Sequence, residues 1–139
     1  MDNATLMYVA YRAMNARVME AMWEDGFEVT AAQGRLAQRL APEGSRLTDL
    51  AEQAQVTKQT ASLLVAALER QGFVERVPDP ADGRARLIRL TRQGSEASER
   101  AQRVVRRVEE QWDEHLGPEL AACLREALLK LREITDPYQ

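Results

Sequence analysis

The stretch that decides the fold is residues 47–94, LTDLAEQAQVTKQTASLLVAALERQGFVERVPDPADGRARLIRLTRQG. It opens as a short helix at Leu47-Thr48-Asp49, with Thr48 as N-cap, and ends near Ala54. Gln55-Val56 is a tight connection, and Thr57 caps a longer helix that lasts to Gln71. Val56 and Ala61 occupy the two positions of a hydrophobic staple, and Gly72 takes the left-handed place just past the helix end. The period then changes from helical to extended. Phe73–Val77 and Arg86–Thr91 are β-branched and aliphatic, and Pro78-Asp79-Pro80-Ala81-Asp82-Gly83-Arg84 lies between them. Two such runs around a Pro/Asp/Gly segment predict an antiparallel hairpin with a long tip.

A short helix, a tight turn and a second helix form a helix-turn-helix, whose second helix can offer its N-terminal residues to the major groove of DNA. Ala61, Leu64, Val65 and Leu68 recur at i, i+3, i+4 and i+7 and give that helix a buried face. Its first turns carry Thr57, Lys58, Gln59, Thr60 and Ser62. Gln can pair with adenine, Ser and Thr with several base edges, and Lys with guanine or phosphate. The plain alternative is a capped helix with a soluble outer face. The hairpin adds Arg84 and Arg86 in or beside the loop, with Arg76, Arg89 and Arg92 close by. Arginines on a thin loop suit a phosphate backbone or a narrow minor groove, although an edge strand also uses them to resist aggregation.

Outward from this unit the chain is helical. Met7, Tyr11, Met14, Val18 and Met22 make one stripe on a first helix covering about Asn3 to Asp25, ended by Gly26. Thr30-Ala31-Ala32-Gln33 has capping-box spacing and starts a second helix that runs to about Leu40, followed by a turn at Ala41-Pro42-Glu43-Gly44. Beyond the hairpin, Thr91 caps a long helix with Val104, Val105, Val108, Trp112 and Leu116 on its apolar face. Gly117-Pro118 breaks it, and Leu120, Leu124, Leu128, Leu131 and Ile134 make a last helix amphipathic up to Asp136-Pro137. The fold class is therefore mainly α with a small β-hairpin wing. The chain, 1–139, reads as a single domain with residues 28–92 as a winged helix-turn-helix lobe. Residues 1–27 and 93–139 form a helical region whose apolar stripes need a second surface, most simply a twofold copy of the chain.

The 139 residues carry 19 Lys+Arg against 22 Asp+Glu, a formal charge of −3 that by itself speaks against nucleic acid. Residues 57–92 hold seven basic and four acidic side chains, a local charge of +3, which leaves −6 for the rest. One cysteine, Cys123, excludes an internal disulfide, and a lone histidine, His115, excludes the usual histidine metal centres. Cys123 stands at apolar spacing in the last helix and reads as a buried small hydrophobe. The apolar run Leu63–Leu68 is too short to span a membrane, and Asp2 stands where a basic, then apolar, leader would begin. A soluble, cytoplasmic protein is expected, with no metal or cofactor. No phosphate loop or paired carboxylates suggest an enzyme.

Asp79-Pro80-Ala81-Asp82-Gly83-Arg84, followed by Leu90-Thr91 and Gly94, resembles the wing of the MarR family, the multiple-antibiotic-resistance regulators. Residues 68–76, LERQGFVER, resemble the end of that family's recognition helix and its first wing strand; Thr48-Asp49-Leu50-Ala51 and Val56-Thr57 match the preceding helix and turn. The resemblance implies a homodimeric transcription regulator on a pseudo-palindromic operator in double-stranded DNA. It further implies repression relieved by a small aromatic or phenolic ligand bound between the dimerisation region and the DNA-binding lobe. By the same resemblance, Lys58, Gln59, Thr60 and Ser62 contact bases and phosphates, Arg84 reaches the minor groove, and Asp82 braces that arginine. Tyr8, Tyr11 and Met14 lie near where such a ligand cleft opens. Two departures stand out: Leu63 replaces the polar residue many members carry on this helix, and the first helix lacks the cysteine of peroxide-sensing members. Two other readings remain open at this level: a winged-helix module that binds protein through Leu63, and a DNA-binding regulator with no small-molecule input.

Overall fold

Six helices and one two-stranded hairpin make up residues 1–138, the part of the chain that a computed structural model describes. In order they are α1 (Asn3–Glu24), α2 (Ala31–Ala37), α3 (Leu47–Gln53), α4 (Lys58–Arg70), β1 (Val74–Asp79), β2 (Asp82–Leu90), α5 (Arg92–Leu116) and α6 (Pro118–Thr135). The Thr30/Gln33 capping box forms, with both reciprocal hydrogen bonds present. Helix α2 stops at Ala37, short of Leu40, and Arg39 just beyond it reaches Asp136 at 3.3 Å.

Side chains from α1 to α5 meet in one core, with Leu36, Leu50, Ala61, Val65 and Ile88 almost fully buried. Val18 and Met22 bring the end of α1 into it, and Ala97 and Val104 bring α5. Phe27 and Phe73 add a tilted ring pair with centroids 6.0 Å apart, a geometry that contributes about 0.5–1.5 kcal/mol beyond area burial.

Two sequence-based expectations about boundaries change. Thr48 is not an N-cap: Arg46 holds that position and Leu47 begins α3. The cause is tertiary. Ser45 pairs with Ile88 of β2 through two backbone hydrogen bonds of 2.8 Å, which keeps the chain extended up to Arg46. Nor is the hairpin tip long. Regular pairing runs from Val74↔Leu90 to Pro78↔Arg86, then slips so that Asp79 faces Asp82 across a two-residue Pro80-Ala81 turn. The Asp79 carboxylate drives this closure by accepting the Ala81 N–H at 2.9 Å, an Asx-type turn.

A third correction concerns Cys123, which is exposed rather than buried. Helix α6 buries no residue at all: Leu120, Leu124, Leu128, Leu131 and Ile134 face outward. The first half of the α1 stripe, Met7 and Tyr11, is likewise exposed.

The junction of hairpin and α5 explains the Leu-Thr…Gly pattern. Thr91 caps α5 by accepting the Gly94 N–H at 3.1 Å, its hydroxyl donates to the Gly72 carbonyl, and its N–H donates to the Phe73 carbonyl at 3.0 Å. Gly94 is thereby pressed onto the β1 entrance, where a Cβ would lie 1.9 Å from the Phe73 oxygen. Gly94→Ala is expected to force α5 off the hairpin and to cost about 3 kcal/mol, the upper end of overpacking effects. Gly83→Ala meets nothing within 4 Å and should stay within about 0.5 kcal/mol. Urea unfolding midpoints of the two variants test this difference.

Candidate nucleic-acid interface

Thr57 starts α4 in extended geometry, and its hydroxyl accepts the Thr60 N–H and donates to the Thr60 hydroxyl, both at 3.0 Å. This local cap occupies the two threonines with each other. Lys58, Gln59 and Ser62 are exposed. Ala61, Val65 and Leu68 are buried on the opposite side, with Leu64 half-buried beside them. The α4 N-terminus also keeps unpaired backbone N–H groups that favour an anion.

The charges sort themselves by pairing. In the basic segment Arg76 pairs with Glu69 at 3.3 Å, Arg89 with Glu75 at 2.8 Å, and Arg92 with Glu96 at 3.4 Å. Among the described residues, Lys58, Arg70, Arg84 and Arg86 have no ion-pair partner, and Lys58, Arg84 and Arg86 are exposed. Within residues 57–92 the free positive charge thus lies on the first turn of α4, at its last turn and on the hairpin.

Asp82 acts on the Arg84 backbone: its Oδ1 accepts the Arg84 N–H at 3.1 Å, and its Oδ2 lies 3.9 Å from the Arg46 guanidinium. The closer brace of the wing is a pair that local sequence reading misses. Arg46 donates from Nε and an Nη to one oxygen of Asp79, at 2.9 and 2.8 Å, while the other oxygen takes Ala81. The Ala81 N–H first, then the guanidinium, hold the Asp79 carboxyl below its ordinary pKa, and the same contact raises that of Arg46. The residues stand 33 apart in sequence, so the only hint is an aspartate next to proline at a turn.

A second feature lies between α1, α2, α4 and α5. A cavity of about 200 Å³ opens there, and its apolar lining includes Tyr11, Met14, Val18, Phe73, Ala101 and Val105. Tyr11 and Met14 therefore reach the cavity, and Tyr8 does not; it is an exposed side chain elsewhere on α1. Gln33, Gln102 and Arg35 supply polar groups at the same site. Among the described residues no cluster of three His, Cys, Asp or Glu side chains could hold a metal ion, and no helix is long and apolar enough to cross a membrane.

A recognition-type helix beside a braced, arginine-bearing hairpin defines a winged helix-turn-helix protein. The model of the MarR family matches residues 28–85. BadR, a transcriptional activatory protein of Rhodopseudomonas palustris, is 36% identical over 64 residues; this is 46% of the present chain and 37% of BadR, so the match spans little more than a third of that relative. A crystal structure of MarR superposes with a TM-score of 0.79 at 24% identity, covering 96% of each chain. The MepR–DNA complex of S. aureus gives 0.73 at 24%, covering 96% of this chain and 98% of MepR. The family model thus covers the lobe, and the fold is shared with MarR-type structures over nearly all of the chain's length. The proteins it resembles are transcription regulators, not enzymes.

Because the Asp79 carboxyl is held below its ordinary value, its stabilisation of the wing is complete above a pH of about 4 and is lost as pH falls through the lowered value. Arg46→Ala should let Asp79 protonate at higher pH and move the loosening of the wing upward. Hydrogen exchange at the Ala81 and Arg84 amides across the acid range reads this out; an unchanged profile would show that the pair does not brace the hairpin.

Proposed function

We propose that the chain is a sequence-specific DNA-binding transcription regulator. In this reading residues 28–92 form the DNA-reading lobe, and residues 1–27 and 93–139 form the body of a homodimer. The observation that carries it is the pattern of unpaired charge: Lys58 opens α4 and Arg84 and Arg86 line the wing without acidic partners, while Arg76, Arg89 and Arg92 are neutralised locally. Thr57, Lys58, Gln59, Thr60 and Ser62 would enter the major groove, with base edges read mainly by Gln59 and Ser62. Arg84 and Arg86 would lie along the backbone or in the adjoining minor groove, with Asp82 holding the Arg84 backbone and Asp79 the turn. The solved MepR–DNA complex shares this fold.

The outward stripes of α1 and α6 support the homodimer, since one chain alone leaves Leu120, Leu124, Leu128 and Met7 in water. A twofold pair would present two α4 helices to half-sites about one helical turn apart, hence a pseudo-palindromic operator. A regulator of this kind works where the chromosome is, which fits a cytoplasmic protein with no membrane-crossing helix.

Binding should show as a footprint of two half-sites upstream of the protein's own gene, with affinity falling steeply as salt rises. Arg84→Ala should weaken all sequences roughly tenfold and lower the salt slope by about one per half-site. Gln59→Ala should relax base preference at one position, worth about 1–3 kcal/mol, with little change in that slope. Anisotropy titrations at several salt concentrations separate the two. Absence of any sequence-selective complex would leave the protein-binding module as the better reading.

The cavity supports a small-molecule input. It joins α1 and α5 of the body to α2 and α4 of the reading lobe, so an occupant bears on both. Its size and apolar lining suit a single aromatic ring, and Arg35 can meet a carboxylate. A hydroxybenzoic acid that binds there should raise the thermal midpoint and weaken DNA binding, the behaviour of a relieved repressor. Binding with no change in DNA affinity would remove the coupling. BadR, an activatory protein, matches over a 64-residue stretch, so activation is the second reading, and a promoter reporter in a deletion strain decides between the two signs.

A further inference from the structure

From Glu24 to Glu119, Leu63 is the one large hydrophobic side chain among the described residues that is exposed, at 67%. The other exposed large hydrophobics lie at Met1, on α1, on α6 and at Tyr138. Leu63 is isolated, and its position is specific. Helix α4 buries Ala61, Val65 and Leu68, and at 100° per residue the direction opposite that face is the line Gln59, Leu63, Ala66, Arg70. Leu63 therefore stands in the middle of the outer face, one turn after Gln59 and beside Ser62. The unpaired cations Lys58 and Arg70 flank it toward the two ends of the helix.

We propose that Leu63 is a specificity-determining residue that reads the C5-methyl group of thymine in the major groove. The inference rests on the DNA-binding reading above and adds a position-specific contact to it. A thymine methyl is the one apolar group that a base edge offers in the major groove, and aliphatic side chains recognise it by contact. A leucine with Gln59, Thr60 and Ser62 beside it toward the helix start, and only the small Ala66 and Ala67 beyond it, fits a narrow apolar spot next to hydrogen-bonding edges. An acidic or flat apolar protein surface would meet only part of that pattern.

The test uses the full-length protein and the duplex it enriches from a random-sequence pool. That duplex is made once with thymine and once with deoxyuridine, which pairs identically and lacks the methyl. The wild-type chain should bind the deoxyuridine duplex about 3- to 10-fold more weakly, the effect of one or two lost methyl contacts per dimer. Leu63→Ala should lose a similar factor on the thymine duplex and lose little more on deoxyuridine. Leu63→Met should keep most of the discrimination. Removing methyls elsewhere in the site affects wild type and variant alike, so the difference between them isolates Leu63. Truncation at an exposed site leaves the core intact, and matching urea midpoints confirm it. Equal wild-type affinity for both duplexes overturns the inference. So does a full deoxyuridine penalty that persists in Leu63→Ala, and either result leaves the leucine to a protein partner. Failure to enrich any duplex is a separate outcome that overturns the DNA-binding reading and this contact with it.

Discussion

The wing depends on the contact between Arg46 and Asp79. A two-stranded ribbon is marginal by itself in water, and this one carries unneutralised arginines that repel one another. Arg46 stands at the start of α3 and grips a carboxylate at the end of β1, while the same carboxylate closes the Pro80-Ala81 turn. One residue upstream, Ser45 adds its backbone to β2 opposite Ile88. The base of the helix-turn-helix and the hairpin are thus joined twice, once by backbone and once by charge. Gly44 permits that approach: it has φ +112°, and a Cβ there would stand 2.9 Å from that of Leu87.

A division of labour among the charged side chains follows. Glutamates on α4, β1 and α5 consume the arginines that stiffen the framework, and those left over face outward. The net charge of −3 conceals this, because charge acts at the scale of a Debye length, about 8 Å in physiological salt, and not over a whole chain. The acidic remainder of the chain beside its basic helix-and-hairpin segment gives the molecule an electrostatic asymmetry that a per-chain sum hides.

The body helices show the complementary logic. The second half of α1 and the first half of α5 close the core of the lobe, through Val18, Met22, Ala97 and Val104. The first half of α1 and all of α6 leave their stripes uncovered. The cavity lies where the two regimes meet, between helices that serve the lobe and helices that serve the body, so its filling bears on the angle between them.

Much of this was legible in the residues themselves. Helix periods, the Thr30, Thr57 and Thr91 caps, the Gly72 and Gly117 breaks and the change to strand period after Gly72 are local signals, set by short-range sterics and hydrogen bonding. The solvent-facing residues of α4 were legible for the same reason, because a helix with one apolar face declares its other face. What local chemistry could not decide was decided in three dimensions. Thr48 is a good N-cap residue that lost its position to the Ser45–Ile88 pairing. A tip with two prolines and a glycine looked long, but the Asp79 carboxylate closes a two-residue turn on the Ala81 N–H, and Arg46, 33 residues away, holds that carboxylate. Tyr8 and Tyr11 share one helix, yet only Tyr11 reaches the cavity, because the cavity meets α1 from Tyr11 to Met22 and Tyr8 lies nearly a turn beyond its end. Amphipathic spacing marked α6 and Cys123 for burial, but spacing says only that a face is apolar, and tertiary structure decides whether this chain or another surface covers it.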